Sequence, residues 1–320
     1  MHVAIAGIGK RIILMDMENK KMKPYEIVLD ESYTGKGQCW EIKKPIAHVV
    51  IFEGMQEYVA RYDKFALYLN NLGYNVYGID TYGQGENVRD DLSKLGVWPE
   101  DSFNKQLKIY SILVNKLKET GKPVYLFCHS MGSFMGQGFL EQYPELVSKI
   151  VLCGSGAKNP ALGAGLVMAK MIVSENNAQK PSKFLAKLMF GNFNKRIEKP
   201  ETQYDWLSVN KDNVDAYIAD PLCGGVVRNQ FCLEFIKFMV SLYKKENLAK
   251  VNKDASIFLI SGAEDPVSNY GQCIDTLTAM YHEQGVQDVS GKIYRNMRHE
   301  ILNEVDWEIV AKDVADFFAK

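Results

Sequence analysis

Short apolar runs alternate along most of this chain with longer stretches in which apolar residues recur every three or four positions. Runs of roughly four to eight apolar residues are typical of buried strands, and the wider spacing is typical of amphipathic helices. The predicted strands are Tyr25–Leu29, Gln38–Ile42, Ile46–Phe52, Asn75–Ile79, Pro123–Phe127, Lys149–Cys153, Ser256–Ile260 and Lys292–Tyr294. The predicted helices are Arg61–Leu72, Phe103–Leu117, Met131–Tyr143 and Asp306–Phe318.

Most of the later predicted strands are separated by a predicted helix, which favours a parallel sheet covered by helices on both faces. The first two strands differ, because only a short segment containing Thr34–Gly37 lies between them. We expect that glycine-rich segment to be the turn of an antiparallel hairpin. The sequence therefore predicts an α/β fold with an eight-stranded, mostly parallel sheet.

One connection is much longer than the others. About a hundred residues separate the strand that ends at Cys153 from the strand that begins at Ser256, far more than one crossover needs. Residues 157–225 of this connection have helical patches and no strong strand pattern. We therefore predict a core made of residues 23–156 and 226–320, with a helical cap or lid at 157–225. Residues 1–22 are predicted to be an N-terminal extension of unknown role.

Composition narrows the class of protein. The net charge is −1, and no basic face of the kind that nucleic acid requires is apparent. The six cysteines form no C-x-x-C pair and no zinc-ligand spacing with histidine, so we expect no metal and no other cofactor. Free cysteines fit a reducing cytoplasm better than a secreted disulfide framework. The first apolar run is too short to span a bilayer, and charged residues interrupt it, so a cytoplasmic protein is predicted.

The segment from Val124 to Gly132 reads as a strand, a tight turn and a helix, with Ser130 in the turn. This is the context of a nucleophile elbow, in which residues two before and two after the serine are small because the strand and helix approach closely. Gly132 meets that need, and Cys128 stands where glycine is usual. Ser130 could instead be a simple helix N-cap, but the flanking pattern and the downstream partners favour a nucleophile.

A serine hydroxyl is a poor nucleophile until a base takes its proton, and in this arrangement an acid and then a histidine follow the serine. Asp265 and Glu264 both lie in the loop after the strand Ser256–Ile260, and Asp265 is favoured because Pro266 follows it. His299 is the histidine that lies at a strand end after the acid. We therefore predict that Ser130, His299 and Asp265 act as nucleophile, base and orienting acid.

Ester or amide cleavage through a serine also requires N–H donors for the oxyanion. One donor is expected to be the backbone N–H of Met131, directly after the predicted nucleophile. The other should come from the loop that follows the strand Ile46–Phe52, where Gly54 permits a close approach. We assign it to the N–H of Met55.

Several runs of the chain resemble the monoacylglycerol lipase and lysophospholipase branch of the α/β-hydrolases, which also contains members similar to serine aminopeptidases. The similar runs are Gly54–Ala66, Asp80–Gly85, Cys128–Gly132, Asp205–Ser208, Asp220–Gly224, Asp265–Val267 and Arg298–Glu304. The resemblance covers nearly all of the chain after residue 24 and implies an α/β-hydrolase fold with an inserted cap. Two positions depart from the family pattern, because Glu53 and Gln84 stand where histidine is usual.

The resemblance implies a lipid ester as substrate, either a monoacylglycerol or a lysophospholipid. An aminopeptidase, a thioesterase and a general esterase on the same scaffold remain alternatives, and a non-catalytic binding protein of this fold is a third hypothesis. The cap carries an apolar helical face, which is as suited to packing on the core as to lining an acyl site or touching a membrane transiently. Its members are Leu162, Leu166, Val167 and Met171. The sequence does not indicate an oligomeric state.

Overall fold

The structure is a computed structural model that describes residues 21–191 and 193–320. Nearly all of the predicted N-terminal extension, residues 1–20, therefore lies outside the described residues. The first strand begins at Met22, within the last part of that extension. The division of the remaining chain into core and cap at residues 156 and 225 stays a prediction.

The core is one eight-stranded sheet. Its strands are β1 Met22–Asp30, β2 Tyr33–Trp40, β3 Ala47–Phe52, β4 Tyr74–Ile79, β5 Val124–His129, β6 Lys149–Cys153, β7 Ser256–Gly262 and β8 Val289–Tyr294. Their spatial order is β1-β2-β4-β3-β5-β6-β7-β8. The strands β1 and β2 are antiparallel to their neighbours, and all the other neighbouring pairs are parallel. The predicted eight-stranded, mostly parallel sheet is confirmed.

The predicted position of the hairpin turn is wrong. The chain reverses at Glu31 and Ser32, where the Ser32 N–H and hydroxyl both donate to the Asp30 carboxylate at 2.8 and 2.6 Å. An aspartate that bonds the backbone two residues on is a common turn former. Gly37 lies inside β2 instead. Glycine is required there because a Cβ would lie 2.1 Å from the carbonyl oxygen of Gly78 in the adjacent strand. That glycine serves close packing and not chain reversal.

Helices cover both faces of the sheet. On one face, Phe65 and Leu69 join Val310, Val314 and Phe318 in a buried cluster. The ten helices assigned within the described residues are α1 Asp63–Asn71, α2 Ser102–Lys118, α3 Met131–Gln142, α4 Leu162–Ile172, α5 Lys183–Phe190, α6 Lys211–Ala219, α7 Asn229–Leu242, α8 Lys245–Leu248, α9 Gln272–Glu283 and α10 Trp307–Ala319. A second cluster on the other face holds buried apolar side chains from five of these helices, α2, α3, α5, α7 and α9.

The long connection between β6 and β7, in the part that the structure describes, contains α4 to α8 and no strand of the sheet. Two short 3₁₀ helices, Phe193–Arg196 and Asp205–Leu207, lie between α5 and α6. Helix α4 packs on α7 through a small cluster of Ala169, Leu233 and Ile236. Within the described part of the chain, none of the helices is both long and apolar enough to cross a bilayer.

Candidate active site

The turn between β5 and α3 holds Ser130 in an unusual backbone conformation, with φ at 53° and ψ at −119°. Positive φ costs energy in a non-glycine residue and persists only where the surroundings impose it. Here the Ser130 N–H donates to the Cys153 carbonyl at 2.9 Å, and its own carbonyl accepts from Ser133. A Cβ on Gly132 would lie 2.0 Å from the Phe52 carbonyl oxygen, so this position requires glycine.

Cys128, which stands where the elbow usually has glycine, is completely buried at the end of β5. The helix makes room for its side chain, because a Cβ on Gly136 would come within 2.9 Å of the Cys128 sulfur. Burial raises the pKa of this thiol well above its ordinary value, so it stays neutral. Cysteine is therefore accommodated at this position by the glycine that faces it from α3.

His299 and Asp265 form a buried pair beside the elbow. The Asp265 Oδ1 lies 2.9 Å from the His299 Nδ1 and also accepts from the Val267 N–H at 2.8 Å, while Oδ2 accepts from the Ser261 hydroxyl at 3.1 Å. An ionised carboxylate at Nδ1 fixes the imidazole tautomer that carries its proton there. The His299 Nε2 is buried and has no hydrogen-bond partner among the described residues.

Local charges give this pair opposite pKa shifts. Burial would raise the pKa of Asp265, but the charge and hydrogen bond of His299 hold it below its ordinary value. Burial would lower the pKa of His299, but the Asp265 charge and hydrogen bond, with Glu300 and Glu57, raise it above its ordinary value. Glu264, the alternative acid, is half exposed and contacts Arg298 at 3.5 Å. The structure thus pairs His299 with Asp265 and leaves Glu264 at the surface.

The loop after β3 faces the elbow and is fixed from both sides of Met55. The Gly54 N–H donates to the Glu57 carboxylate and the Gln56 N–H donates to the Gln84 side-chain oxygen, both at 2.7 Å. A Cβ on Gly54 would lie 2.5 Å from the Glu57 Oε1 that binds the Gly54 N–H and 3.2 Å from the Ser130 Cβ, so a side chain here would disturb this loop. The Gln84 amide in turn donates to the Gly54 and Glu57 carbonyls. Gln84 therefore holds the loop in place without a histidine.

Glu53, the other departure from the family pattern, is fully buried. Its carboxyl oxygens accept from the Thr81 N–H at 2.6 Å and from the Tyr110 hydroxyl at 3.3 Å. Burial, with the nearby Asp80 charge, raises the pKa of Glu53 well above its ordinary value. The neutral form of this carboxyl is therefore favoured over the anion.

Three residues lie next to the proposed catalytic histidine or its loop, and the sequence did not reveal these contacts. The His129 ring lies 4.7 Å from the His299 ring, and burial lowers its pKa to about 3. The Trp206 ring, from the cap, lies 5.0 Å from the same imidazole. A buried guanidinium, Arg61, binds Glu57 and Glu300 next to the site. All three residues lie in runs that resemble the family, but the sequence does not show that these runs meet beside His299.

Ser130 and His299 line one cavity of about 780 Å³. Cavities of roughly 300–1,000 Å³ lined by apolar side chains are typical of small-molecule sites. The polar end contains Ser130, His299 and the loop of Gly54 and Met55, and Met131 also lines it. The apolar walls come from the core and the cap, and include Phe134, Leu162, Met168, Leu188, Met189, Phe235, Ile236 and Met239.

The predicted apolar face of the cap helix is only partly the one that meets the cavity. Leu162 lines the cavity, but Leu166 packs against the cluster on α7, and Val167 and Met171 are 61% and 82% exposed. The structure therefore corrects the assignment of Leu166, Val167 and Met171. The reason is that every residue of α4 except Lys170 is apolar or glycine, so only tertiary packing sets which side faces α7. Met168 lies on the cavity side instead.

The sheet order, the inserted cap and the elbow together define an α/β-hydrolase fold. The chain belongs to the serine aminopeptidase S33 family, whose model matches residues 43–306. It is 25% identical to a monoacylglycerol lipase of Mycolicibacterium smegmatis over 278 residues, 85% of this chain and 88% of the relative. It is 24% identical to a monoglyceride lipase homolog of monkeypox virus over 281 residues, 87% and 90% of the two chains.

A solved carboxyl esterase from Bacillus coagulans superposes with a TM-score of 0.82 at 24% identity, covering 93% of this chain and 97% of the esterase. That likeness supports the fold. The resemblance to the monoacylglycerol lipase and lysophospholipase branch of the α/β-hydrolases is thus confirmed at the level of the family, and the chain is a hydrolase of the lipase and esterase type.

Proposed function

We propose that this protein is a serine hydrolase that cleaves carboxylic esters of lipids, with monoacylglycerols or lysophospholipids as the substrate class. The observation that carries the proposal is the buried His299, whose Nδ1 is bound to Asp265 while its Nε2 is without a partner among the described residues, in the cavity that Ser130 lines. An imidazole held in this way is suited to act as a general base.

In the proposed reaction, Ser130 Oγ attacks the ester carbonyl carbon and its proton passes to His299 Nε2. The N–H groups of Met55 and Met131 stabilise the negative charge on the former carbonyl oxygen. The carbon–oxygen bond to the alcohol then breaks, and the imidazolium returns the proton to the departing oxygen. A water molecule, deprotonated by the same imidazole, hydrolyses the acyl-serine and restores the enzyme.

The lipid preference is argued from the cavity. Its volume of about 780 Å³ and its aromatic, leucine and methionine walls suit an acyl chain, whose burial contributes up to about 0.8 kcal/mol per methylene. The monoacylglycerol lipase from Mycolicibacterium smegmatis, to which the chain is similar, is named for this substrate class. An aminoacyl amide would instead require a carboxylate free to bind its charged amino group, and the two carboxylates that line the cavity among the described residues, Glu57 and Glu300, are both bound to Arg61.

A fluorophosphonate probe tests the nucleophile. We expect the wild type and Ser155→Ala to be labelled and Ser130→Ala to be unlabelled, with turnover reduced on the order of 10⁶-fold in the last variant. Ser155 is a matched control because it is also buried and binds Gln137 on α3. Labelling of Ser130→Ala would overturn the assignment. Better turnover of aminoacyl amides or thioesters than of acyl glycerols would overturn the substrate class.

We also propose that the cap meets an anionic lipid surface, from which substrate enters. Met168 and Leu188 line the cavity and are also exposed, and Met171 and Phe184 are further exposed apolar residues on the same two helices, α4 and α5. The chain between residues 158 and 199 carries eight lysines and arginines but two glutamates, although the whole protein has a net charge of −1. Apolar side chains surrounded by lysine favour an interface with anionic headgroups.

Cosedimentation with vesicles of phosphatidylcholine, with and without phosphatidylglycerol, tests this surface. We expect the wild type to bind the mixed vesicles more tightly, and Met171→Asp to weaken that binding. Ile309→Asp is the control, because Ile309 is a similarly apolar and exposed residue on α10 of the core. Equal binding by all three proteins, or no response to phosphatidylglycerol, would overturn the proposed surface.

A further inference from the structure

Arg61 joins two loops that the proposed reaction needs. Its Nη1 donates to Glu57 Oε2 and to Glu300 Oε1, both at 2.7 Å, and its Nη2 donates to Glu300 Oε2 at 2.8 Å. Glu57 belongs to the loop after β3, and Glu300 directly follows His299. One guanidinium therefore fixes the distance between the oxyanion loop and the loop of the base. A planar fork can hold two carboxylates in this way, and an ammonium cannot.

Each of the two glutamates is also linked to a group that the proposed reaction uses. The other oxygen of Glu57 accepts from the Gly54 N–H at 2.7 Å, one residue before Met55, and from the Tyr62 hydroxyl at 2.8 Å. The backbone of Glu300 is continuous with His299. A shift of Arg61 would therefore displace a proposed oxyanion donor and the base relative to each other, although Arg61 itself does not line the cavity.

The same cluster extends into the cap. Asn213 on α6 donates to Glu300 Oε2 at 2.7 Å and accepts from Arg61 Nη2 at 3.2 Å, and the Tyr217 ring lies 5.0 Å from the guanidinium carbon. The Glu300 N–H donates to the Leu207 carbonyl of the cap at 2.7 Å. The position of this part of the cap is thus tied to both catalytic loops through buried polar groups.

We propose that Arg61 is a positioning residue that holds the oxyanion loop and the histidine loop in register, with Asn213 coupling the cap to them. The inference rests on the proposed function, because it assigns no reaction of its own. Arg61, Glu57 and Glu300 are nearly or fully buried, so their hydrogen bonds are not exchanged for bonds to water. Misplacement of reacting groups by about 1 Å can cost about 10²-fold in rate.

The test is Arg61→Lys, which keeps the charge and removes the fork. Competent sites are counted by fluorophosphonate titration, and kcat is expressed per titrated site with a soluble short-chain ester. We expect kcat per site to fall by up to about 100-fold with KM nearly unchanged. Asn213→Ala is a milder second variant, for which we expect a smaller fall in kcat per site, and Asp215→Ala on the exposed side of α6 should have none.

Arg228→Lys is the matched control for a merely structural role. Arg228 also joins the cap to the core, because its guanidinium donates to carbonyl groups of Ser93, Leu95 and Gln179. It contacts neither catalytic loop in these bonds. We expect Arg228→Lys to lower the Tm while kcat per site is unchanged.

Two results would count against the inference, and they are distinguishable. If Arg61→Lys lowers the Tm or the number of titratable sites but leaves kcat per site at the wild-type value, Arg61 is structural and the proposed function stands. If the wild type neither reacts with the probe nor hydrolyses any ester, the proposed function fails and the inference fails with it.

Discussion

Asp265→Asn is the most informative substitution in the proposed triad, because the surroundings determine how the introduced amide can be oriented. Asp265 Oδ1 accepts from both the Val267 N–H and the His299 Nδ1, and Oδ2 accepts from the Ser261 hydroxyl. An amide nitrogen at the first position would face the Val267 N–H and leave a buried donor unpaired, which costs about 1–3 kcal/mol. We therefore expect the amide oxygen to remain there and the nitrogen to face the Ser261 oxygen.

This orientation keeps the imidazole tautomer and removes only the negative charge. Two unit charges about 4 Å apart interact by about 4 kcal/mol at an effective dielectric constant of about 20. At about 1.36 kcal/mol for each factor of ten, kcat should fall by about 10³-fold. A flipped amide would also protonate the base nitrogen, and the loss would then approach the roughly 10⁴-fold seen when a triad tautomer is disrupted.

The assay is kcat/KM for a soluble ester as a function of pH. Because the base must be neutral, activity is lost as pH falls through the His299 pKa, which Asp265 raises. Asp265→Asn should therefore move the acid limb to lower pH while lowering the plateau. Glu264→Gln, the control at the half-exposed neighbour, should change neither. A loss of less than tenfold in Asp265→Asn, or an equal loss in Glu264→Gln, would refute the assignment.

Three further predictions follow from individual side chains. Met168→Trp should selectively reduce kcat/KM for long-acyl esters in solution, by up to about fourfold for each methylene it excludes, since a methylene contributes about 0.8 kcal/mol. Val167→Trp is the control, because the adjacent Val167 is exposed to solvent and does not line the cavity. It should leave kcat/KM for long-acyl esters unchanged, and an equal reduction by both variants in a chain-length series would contradict the cavity assignment. Glu53→Gln should leave kcat/KM and the Tm at neutral pH nearly unchanged, because burial raises the pKa of Glu53 and favours the neutral acid, which a neutral amide resembles; a large loss of kcat/KM would show that the carboxylate is needed. Burial would raise the pKa of Glu300, but Arg61 and Asn213 lower it to about 2, from an ordinary value of 4.5. Its contribution to the free energy of unfolding is therefore present above pH 4.5 and lost as the pH falls toward about 2. Urea unfolding across that window should show a flatter pH dependence for Glu300→Gln than for the wild type, and equal slopes would contradict this.

The sequence was most informative where a local requirement leaves few choices of residue. Six of the eight predicted strands overlap the observed ones closely, because buried parallel strands are continuous apolar runs. The hairpin turn was misplaced because glycine is required both for turns and for close strand contacts. Only the neighbouring strand reveals that Gly37 belongs to the second case.

The elbow and the loops at the strand ends were also readable as sequence. Ser130, Asp265 and His299 each follow a strand of the parallel sheet, so the topology alone brings them to one edge. The topology does not show which of two adjacent carboxylates, Asp265 or Glu264, is hydrogen-bonded to the histidine. The 2.9 Å contact from Asp265 to His299 and the surface position of Glu264 come from the folded chain.

The sequence by itself determined the order of most strands and the alternation of strands with helices in the core, since these depend on periodicity. It also predicted an insertion and a candidate nucleophile, from connection length and from local steric limits. Tertiary structure alone decided which side of α4 meets the cavity, because a helix that is apolar all round has no unique buried side until α7 packs against it. It also decided the partners of Arg61, which lies 239 residues from Glu300 in the chain. A buried charge requires a counter-charge nearby in the folded structure, and the sequence alone does not show which residue provides it.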